Sequence, residues 1–489
     1  MHQAFFVTTT ESVTAAMRKA IALFLVGGAL TGCASLGVVS ETQTGVETVP
    51  QAADWAETAG VQGVLPSNDW VGDFNDTTLS TLIEDALENN TSVRAAYAQY
   101  QAAQAGARIA GADRLPSVNG SLSASRTENG NDLLPDSTNL GAGINASWEV
   151  DLWGRIRDQV DASELQVSAS AADLAGARLA IAGQVAQTWI NLIEAYLLVD
   201  LSERDVETLT RALRLTTRRF EGGITGSSDV RLARTQLANS VALQASRKQI
   251  FAATGRSLEV LLRRYPSGEL RSATDLPVLP NLNGVGVPSE ILQRRPDLLA
   301  ADRRLAAAGL NVDVAKKNLL PRITLTGGIN SSSPSFDNLF DIDSVIANAA
   351  AGLTQPLFQG GRLRAGVKQQ EAFLRAQLEQ YTGQVLGAYL EVENALNGEI
   401  RLAEQEAALR TSLQEAFAAE ERLELRYTEG LATILQLLDA QTRRITAESQ
   451  LINARAERLA NRIRLHLALG GGALGELSPD VLQGTSYGE

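Results

Sequence analysis

The chain contains two copies of one long unit, and this duplication limits what it can fold into. Residues 219–224 read Arg-Phe-Glu-Gly-Gly-Ile, and residues 426–431, which lie 207 positions later, read Arg-Tyr-Thr-Glu-Gly-Leu. A second pair of segments, 154–157 and 361–364, has the same offset of 207 residues. Two matches at one offset indicate a duplication. The glycine that both copies share permits the positive φ angle that ends a helix and reverses the chain.

Each copy contains a helical run far longer than the usual ~11–12 residues. Residues 158–219 include no proline over 62 positions, which corresponds to roughly 93 Å of helix. Two apolar stripes follow this run, one through Val185, Trp189 and Leu192, the other through Ala182, Ala186 and Ile190. Two stripes require neighbours on two sides, as in a closed ring of helices. Similar patterns predict helices over 77–112, 229–264, 296–319, 363–427 and 433–469, with Asp76 capping the first.

Between these helices the apolar period changes to two, which predicts strands. In the first copy the alternating positions are Val118, Gly120, Leu122 and Ala124, then Leu140, Ala142, Ile144, Ala146, Trp148, Val150 and Leu152. In the second copy they are Ile323, Leu325, Gly327 and Ile329, then Val345, Ala347, Ala349, Ala351 and Leu353. A soluble sheet with one solvent-exposed face would show the same two-residue period. The lengths of the predicted strands also suit tilted membrane strands.

Four such strands cannot close a barrel on their own. An open sheet edge in lipid leaves backbone groups unpaired, at a cost of several kcal/mol each. Several chains must therefore share one barrel. The predicted fold class is mixed α and β, with a shared β-barrel, long α-helices and an internal two-fold repeat.

Composition argues against catalysis and against nucleic acid as a partner. The chain has 2 His and 1 Cys, too few for a zinc site that needs several such ligands. A Ser-His-Asp arrangement would depend on His466, which lies in a helical run. The sequence has no phosphate loop or dinucleotide motif, and its net charge of −13 disfavours nucleic acid. We expect no enzyme, no metal and no cofactor.

Residues 1–32 predict a signal peptide, because Arg18 and Lys19 precede an apolar segment from Ala20 to Leu30. It ends in Leu-Thr-Gly-Cys at 30–33, which resembles the bacterial lipobox, whose Cys is diacylated and becomes the first mature residue. Mass spectrometry of the mature N-terminus would detect this lipid on Cys33. After it we predict a lipidated arm over 33–75, repeats over 76–265 and 289–469, a linker over 266–288 and a flexible tail over 470–489.

Four motifs, together with the lipobox, resemble the TolC-like outer-membrane efflux proteins, and most closely their lipoprotein branch of NodT type. They are Asp151-Leu152-Trp153-Gly154-Arg155, Arg294-Arg295-Pro296-Asp297, Gln359-Gly360-Gly361-Arg362 and Leu437-Leu438-Asp439-Ala440-Gln441. The resemblance covers essentially all of the mature chain. It implies a homotrimer in the bacterial outer membrane, with four strands per chain in a twelve-stranded barrel that a periplasmic helical barrel continues.

The same resemblance implies a function as the exit duct of a tripartite efflux pump. Such a duct passively conducts drugs or other small toxic solutes, and its partners are a periplasmic adaptor and an inner-membrane transporter, expected to be of RND type. Leu435 and Asp439 would close the periplasmic entrance, with Asp229 and Arg231 as ion-pair candidates there. The adaptor would contact the two tips, formed by Gly223, Ile224 and Thr225 and by Gly430, Leu431 and Ala432.

Acidic residues are predicted along the pore and at its outer mouth. Glu149 and Asp151 alternate with the apolar strand positions, so we expect them to face the lumen. The loop acids are Asp132, Asp136, Asp337, Asp341 and Asp343. Because like-signed walls raise the local concentration of counter-ions, these residues predict a preference for cations.

Other functions stay open at this point. A duct for type I protein secretion would have the same sequence features, and so would a duct for metal ions such as copper. Both methionines, Met1 and Met17, precede Cys33, so the mature chain lacks the soft thioether ligands that favour copper. A structural coiled-coil lipoprotein would explain the helices and the lipid but not the strands.

Overall fold

The computed structural model describes residues 54–56, 70–130, 136–282 and 284–471. In the first copy, helices α1 (Thr77–Asn89) and α2 (Thr91–Ala112) lead into strands β1 (Ser117–Thr127) and β2 (Ser137–Val150). Helices α3 (Arg155–Glu221) and α4 (Ser227–Leu261) follow. The predictions for Cys33, for Asp132 and for most of the arm and tail lie outside the described residues.

The second copy repeats this order. Helices α5 (Pro288–Arg294) and α6 (Pro296–Lys317) precede β3 (Arg322–Ser333) and β4 (Val345–Thr354), and α7 (Arg362–Thr428) and α8 (Ile434–Ala468) complete it. Helices α3 and α7 both have 67 residues, and α4 and α8 both have 35. All four begin and end at positions related by the 207-residue offset. The duplication predicted from short motifs therefore extends over two whole helical hairpins.

The long helices also pack across the two copies. Helix α3 contacts its hairpin partner α4, and it contacts α6 and α8 of the second copy as well. Its two predicted stripes are buried, including Val185, Trp189 and Ile190. The prediction of neighbours on two sides is confirmed, because each stripe is covered within the chain.

The four strands form one antiparallel sheet in the order β1-β2-β3-β4. Its register places the predicted apolar positions on one face, since Leu122 lies opposite Ala142, Trp148 opposite Leu325, and Ile329 opposite Ala347. The other face presents mostly Ser, Thr, Asn and Gly. The strand predictions are confirmed except at Leu152, which lies beyond the end of β2 at Val150. Among the described residues, the outer strands β1 and β4 are each paired on one side only.

Among the residues that the structure describes, three buried clusters hold the helices together. The largest surrounds Trp70, Phe74 and Trp189 near the middle of α3. Trp189 donates from Nε1 to the Asp76 carboxylate at 2.8 Å, and the other Asp76 oxygen caps α1. The second cluster surrounds Tyr381 and Val385 of α7, and the third lies at the helix tips.

His466 is buried in the core. Its imidazole stacks on the Trp70 ring, with centroids 6.0 Å apart. Burial, together with the nearby charge of Arg462, lowers the pKa of His466 to about 4. The imidazole is therefore neutral at physiological pH, as its packing against apolar rings requires.

Two local predictions need correction. The helix predicted over 77–112 is broken at Asn90, which leaves the helical conformation, caps α2 through its side chain and donates from Nδ2 to the Leu261 carbonyl at 2.8 Å. The arm predicted to extend to residue 75 folds into a short 3-10 turn at Gly72–Phe74. Burial of Trp70 and Phe74 in the largest cluster explains that turn, because an extended chain would leave both rings in water.

Candidate functional site

The two helix tips end in the same backbone motif. In the first, Gly223 has φ +72°, and the amide of Ile224 donates to the Arg219 carbonyl at 2.8 Å. The second has φ +81° at Gly430 and a matching 2.8 Å bond from Leu431 to Arg426. This Schellman geometry needs a left-handed residue, which explains the glycine in both copies. It leaves Ile224 and Leu431 67% and 65% exposed.

Side chains join the two tips asymmetrically. Tyr427 is 1% exposed, and its hydroxyl lies 2.9 Å from Thr216 Oγ1 of the first copy. Arg219 lies over the Tyr427 ring, 4.9 Å from its centroid, and donates to the Tyr427 carbonyl at 2.6 Å. The equivalent of Tyr427 in the first copy is Phe220, which is 43% exposed. The contact between α3 and α7 at the tips therefore uses the aromatic residue of one copy only.

The proposed gate residues lie at the start of α8. Leu435 is 64% exposed, whereas Leu437 and Leu438 beside it are 2% and 8% exposed. Asp439 is on the same face as Leu435, four residues on, and forms an exposed ion pair with Arg443 at 2.8 Å. Thr433 begins the helix with a capping box that includes Gln436.

The predicted ion-pair candidates do not meet the gate residues within one chain. Among the described residues of a single chain, neither Asp229 nor Arg231 forms an ion pair. Asp229 lies in the first turn of α4, where its charge suits the positive end of the helix dipole. Their role in ion pairs that hold the tips shut stays a prediction.

A buried charge cluster lies one helical turn beyond Asp439. Arg444 of α8 donates to Asp205 of α3 at 2.9 Å, to Glu420 of α7, and to Glu448 of its own helix at 2.7 Å. Arg204 adds a second cation, 3.0 Å from Glu448. Arg444, Asp205 and Glu420 are all buried. One guanidinium thus ties α8 to both 67-residue helices just beyond the tips.

Burial determines the direction of the pKa shifts of the two buried carboxyls in this cluster. It raises the pKa of Asp205 and of Glu420, against the opposing influence of Arg444. Elsewhere on the α3–α8 contact, burial and the nearby charge of Glu457 raise the pKa of Glu194 to about 7. Carboxylates with raised pKa values in the folded protein weaken the fold as the pH rises.

The predicted mouth and lumen acids have different surroundings. Glu149 lies on the polar face of β2 and pairs with Arg155 at 3.0 Å. Asp136 accepts from the Asn129 amide at 3.0 Å. The three acids of the β3–β4 loop, Asp337, Asp341 and Asp343, are exposed. An outer mouth rich in acidic groups stays a prediction that rests mainly on these three.

Asp151 is not a strand residue, which corrects its predicted role as a lumen acid. Strand β2 ends at Val150, and the Asp151 carboxylate accepts from the amides of Ile156 and Arg157 at 3.1 and 2.7 Å. The free amides at a helix N-terminus need acceptors, and the helix dipole favours an anion there. Asp151 therefore caps the first turn of α3.

Sequence reasoning missed the Tyr427 contact and the Arg444 cluster. A signal for Arg444 was present, because it occupies a regular position in the buried stripe that Leu437, Ala440, Ala447 and Leu451 form along α8. A charged residue in a buried register needs partners of opposite charge. For Tyr427 the sequence shows only one aromatic residue in each tip, and nothing in that pattern indicates which one is buried.

Comparison with known proteins identifies the family. Residues 82–262 and 287–471 match the family described as outer membrane efflux protein. The chain belongs to this family. The pyoverdine export outer membrane protein OpmQ of Pseudomonas putida is 33% identical over 448 residues, which cover 86% of this chain and 92% of OpmQ. The cation efflux system protein CusC of Escherichia coli is 28% identical over 92% of this chain and 98% of CusC.

Solved structures agree with this assignment. The outer-membrane channel OprN superposes with a TM-score of 0.81 at 28% identity, covering 87% of this chain and 98% of OprN. The efflux protein is therefore a subunit of a trimeric outer-membrane channel that extends into the periplasm, and its four strands are one chain's share of a common barrel. Its family consists of channel proteins that work as outer-membrane components of efflux pumps.

Replacing Arg444 by Met should destabilise the efflux channel by roughly 3–5 kcal/mol near pH 8, because two buried carboxylates lose their cation. Their folded pKa values are raised, so the carboxyls are protonated, and need no cation, at low pH. The deficit should therefore shrink as the pH falls towards 5. Thermal dissociation of detergent-solubilised trimers at both pH values measures this effect. Arg211→Met, which removes an exposed arginine that pairs with Glu207 of its own helix, is the control and should change little. A deficit independent of pH would contradict the assignment.

Proposed function

We propose that the efflux channel is a passive exit duct for small toxic solutes and that Leu435 and Asp439 close it at rest. The exposure of Leu435 carries the proposal. A helix buries its leucines against its own chain where it can, and α8 does so with Leu437 and Leu438. Leu435 remains in water in a single chain, as expected for a side chain that meets its symmetry mates.

The chemistry of the pair fits a constriction. In a trimer, three Leu435 side chains would form an apolar ring, and three Asp439 side chains would form a polar ring one turn away. The Arg443 partner of Asp439 moderates the repulsion among the three carboxylates. The Arg444 cluster fixes α8 to α3 and α7 just beyond Asp439. A movement that opens the tips would therefore turn about the Arg444 cluster.

Small toxic solutes, including drugs, are the cargo that we assign. The relatives act on unlike cargo, since one is named for pyoverdine export and another for cation efflux. The mature chain supplies no methionine thioether for a soft metal ion. This favours organic solutes over copper.

A periplasmic adaptor, an inner-membrane transporter of RND type and a lipid on Cys33 complete the proposal. The adaptor would contact the exposed tip residues Ile224 and Leu431. Thr225 and Ala432, which are less exposed, would border this contact. The energy for export would come from the transporter, because the duct conducts passively.

The gate predicts the behaviour of a double variant, Leu435→Ala with Asp439→Ala. Removing both rings should raise the resting single-channel conductance several-fold and admit bulky antibiotics that the outer membrane normally excludes. Planar-bilayer recording and antibiotic susceptibility measure these effects. Leu425→Ala with Glu429→Ala is a matched control, because it is also an exposed Leu and acid four residues apart on a tip. Equal conductance in both double variants would place the gate elsewhere.

The adaptor contact predicts that Ile224→Asp and Leu431→Asp each abolish efflux while trimers persist. A charge at either site would have to be desolvated against an apolar partner surface. Dye accumulation in cells measures efflux, and gel filtration measures the trimer. Phe340→Asp is the control, since Phe340 is 71% exposed in the β3–β4 loop. Normal efflux in both tip variants would contradict the proposed contact between the tips and the adaptor.

A further inference from the structure

The polar face of the sheet is almost free of formal charge. Along the four strands this face carries only Glu149 and Arg322 as charged residues, and both lie at the end next to the helices. The remaining positions are mostly serine, threonine, asparagine and glycine. Because the opposite face is apolar and suits lipid, the uncharged polar face lines the barrel lumen.

Asparagines from all four strands lie close together on this face, with Asn119, Asn145 and Asn348 at one level and Asn330 two residues further along β3. Asn119 of β1 lies directly opposite Asn145 of β2. Asn330 of β3 reaches both ways, with its Nδ2 3.3 Å from Asn145 Oδ1 and 3.5 Å from Asn348 Oδ1 of β4. Three carboxamides therefore touch across three strands, and the fourth extends the row to β1.

Two glycines make room for this row. A Cβ atom at Gly143 would lie 2.0 Å from Asn330 Oδ1. A Cβ atom at Gly328 would lie 2.4 Å from Asn145 Oδ1 and 3.0 Å from Asn330 Nδ2. Glycine weakens a strand, so its presence opposite these side chains is consistent with carboxamides lying flat along the wall.

We propose that Asn119, Asn145, Asn330 and Asn348 form a neutral carboxamide collar in the barrel pore that contacts exported solutes through hydrogen bonds. Each carboxamide offers two donor hydrogens and an acceptor oxygen. The collar therefore engages hydroxyl, amine, amide and carboxylate groups of a solute whatever its net charge. Any ion preference of the channel then arises at other levels, such as the loops or the tips.

Asn330→Asp tests the neutrality of the collar. It places one carboxylate per chain in the pore wall and should raise the cation-to-anion permeability ratio about twofold at 0.1 M salt. The increase should become smaller at 1 M salt, because the ions screen the added charge. Asn330→Ala should leave the ratio unchanged and raise the conductance. Reversal potentials in a KCl gradient are recorded only from inserted channels, so misfolded protein does not contribute. Asn348→Asp repeats the test on an edge strand.

Gly328→Ala tests whether the asparagine carboxamides lie flat along the pore wall. The added methyl group should push the carboxamides into the pore and lower the conductance, whereas Gly327→Ala on the opposite face meets only ordinary contacts and should not. Likewise, Asn330→Cys should react with charged thiol reagents, and Ile329→Cys should not. All of these variants are recorded in the otherwise unchanged channel and in the Leu435→Ala, Asp439→Ala double variant. The comparison separates a wrong assignment of the gate from a wrong assignment of the collar. Unchanged permeability in both Asp variants, or equal conductance in the two glycine variants, would overturn the collar.

Discussion

The unpaired edges of a four-stranded sheet determine how this protein can exist. In the part of the chain that the structure describes, β1 and β4 each pair on one side only, and one face of the sheet is apolar. In lipid such edges leave a row of backbone groups without hydrogen bonds. Only neighbouring chains can supply the missing partners. The trimer is thus a condition of insertion, and the long helices that follow each hairpin are brought into a ring by the same closure.

The duplication gives each chain two nearly equivalent long helical hairpins for the ring. The side chains at their tips differ between the two copies. Helices α3 and α7 have the same length and the same glycine motif at their ends. The side chains break this equivalence. Tyr427 is buried and bound to Thr216, whereas Phe220 is not, and Arg444 binds carboxylates of both copies. The second copy therefore carries the residues that position the proposed gate, while the first supplies their partners.

Much of the fold could be predicted from the sequence because its periods are long and unbroken. The repeated two-residue alternation fixed the strand faces, and the proline-free run placed α3 within a few residues of its bounds. The break at Asn90 was missed because asparagine is compatible with a helix, and its capping contact with Leu261 is made far along the chain. The prediction of Asp151 as a lumen-facing strand residue was wrong for a related reason. The alternation of apolar and polar residues does not show where a strand ends and a helix begins. The Tyr427 and Arg444 contacts are likewise non-local.

The central claim is that separate chains close one barrel through their free edges, and cross-linking tests it most directly. A cysteine replacing Ser121 on β1 would be combined in turn with a cysteine at Asn348, Ala350 or Gly352 on β4, with Cys33 changed to Ser. Oxidation in membranes followed by denaturing electrophoresis counts the chains that are joined. The account predicts that at least one pair gives covalent trimers and nothing larger. A ladder beyond three chains, or only monomers with a bond between their own β1 and β4, would contradict it.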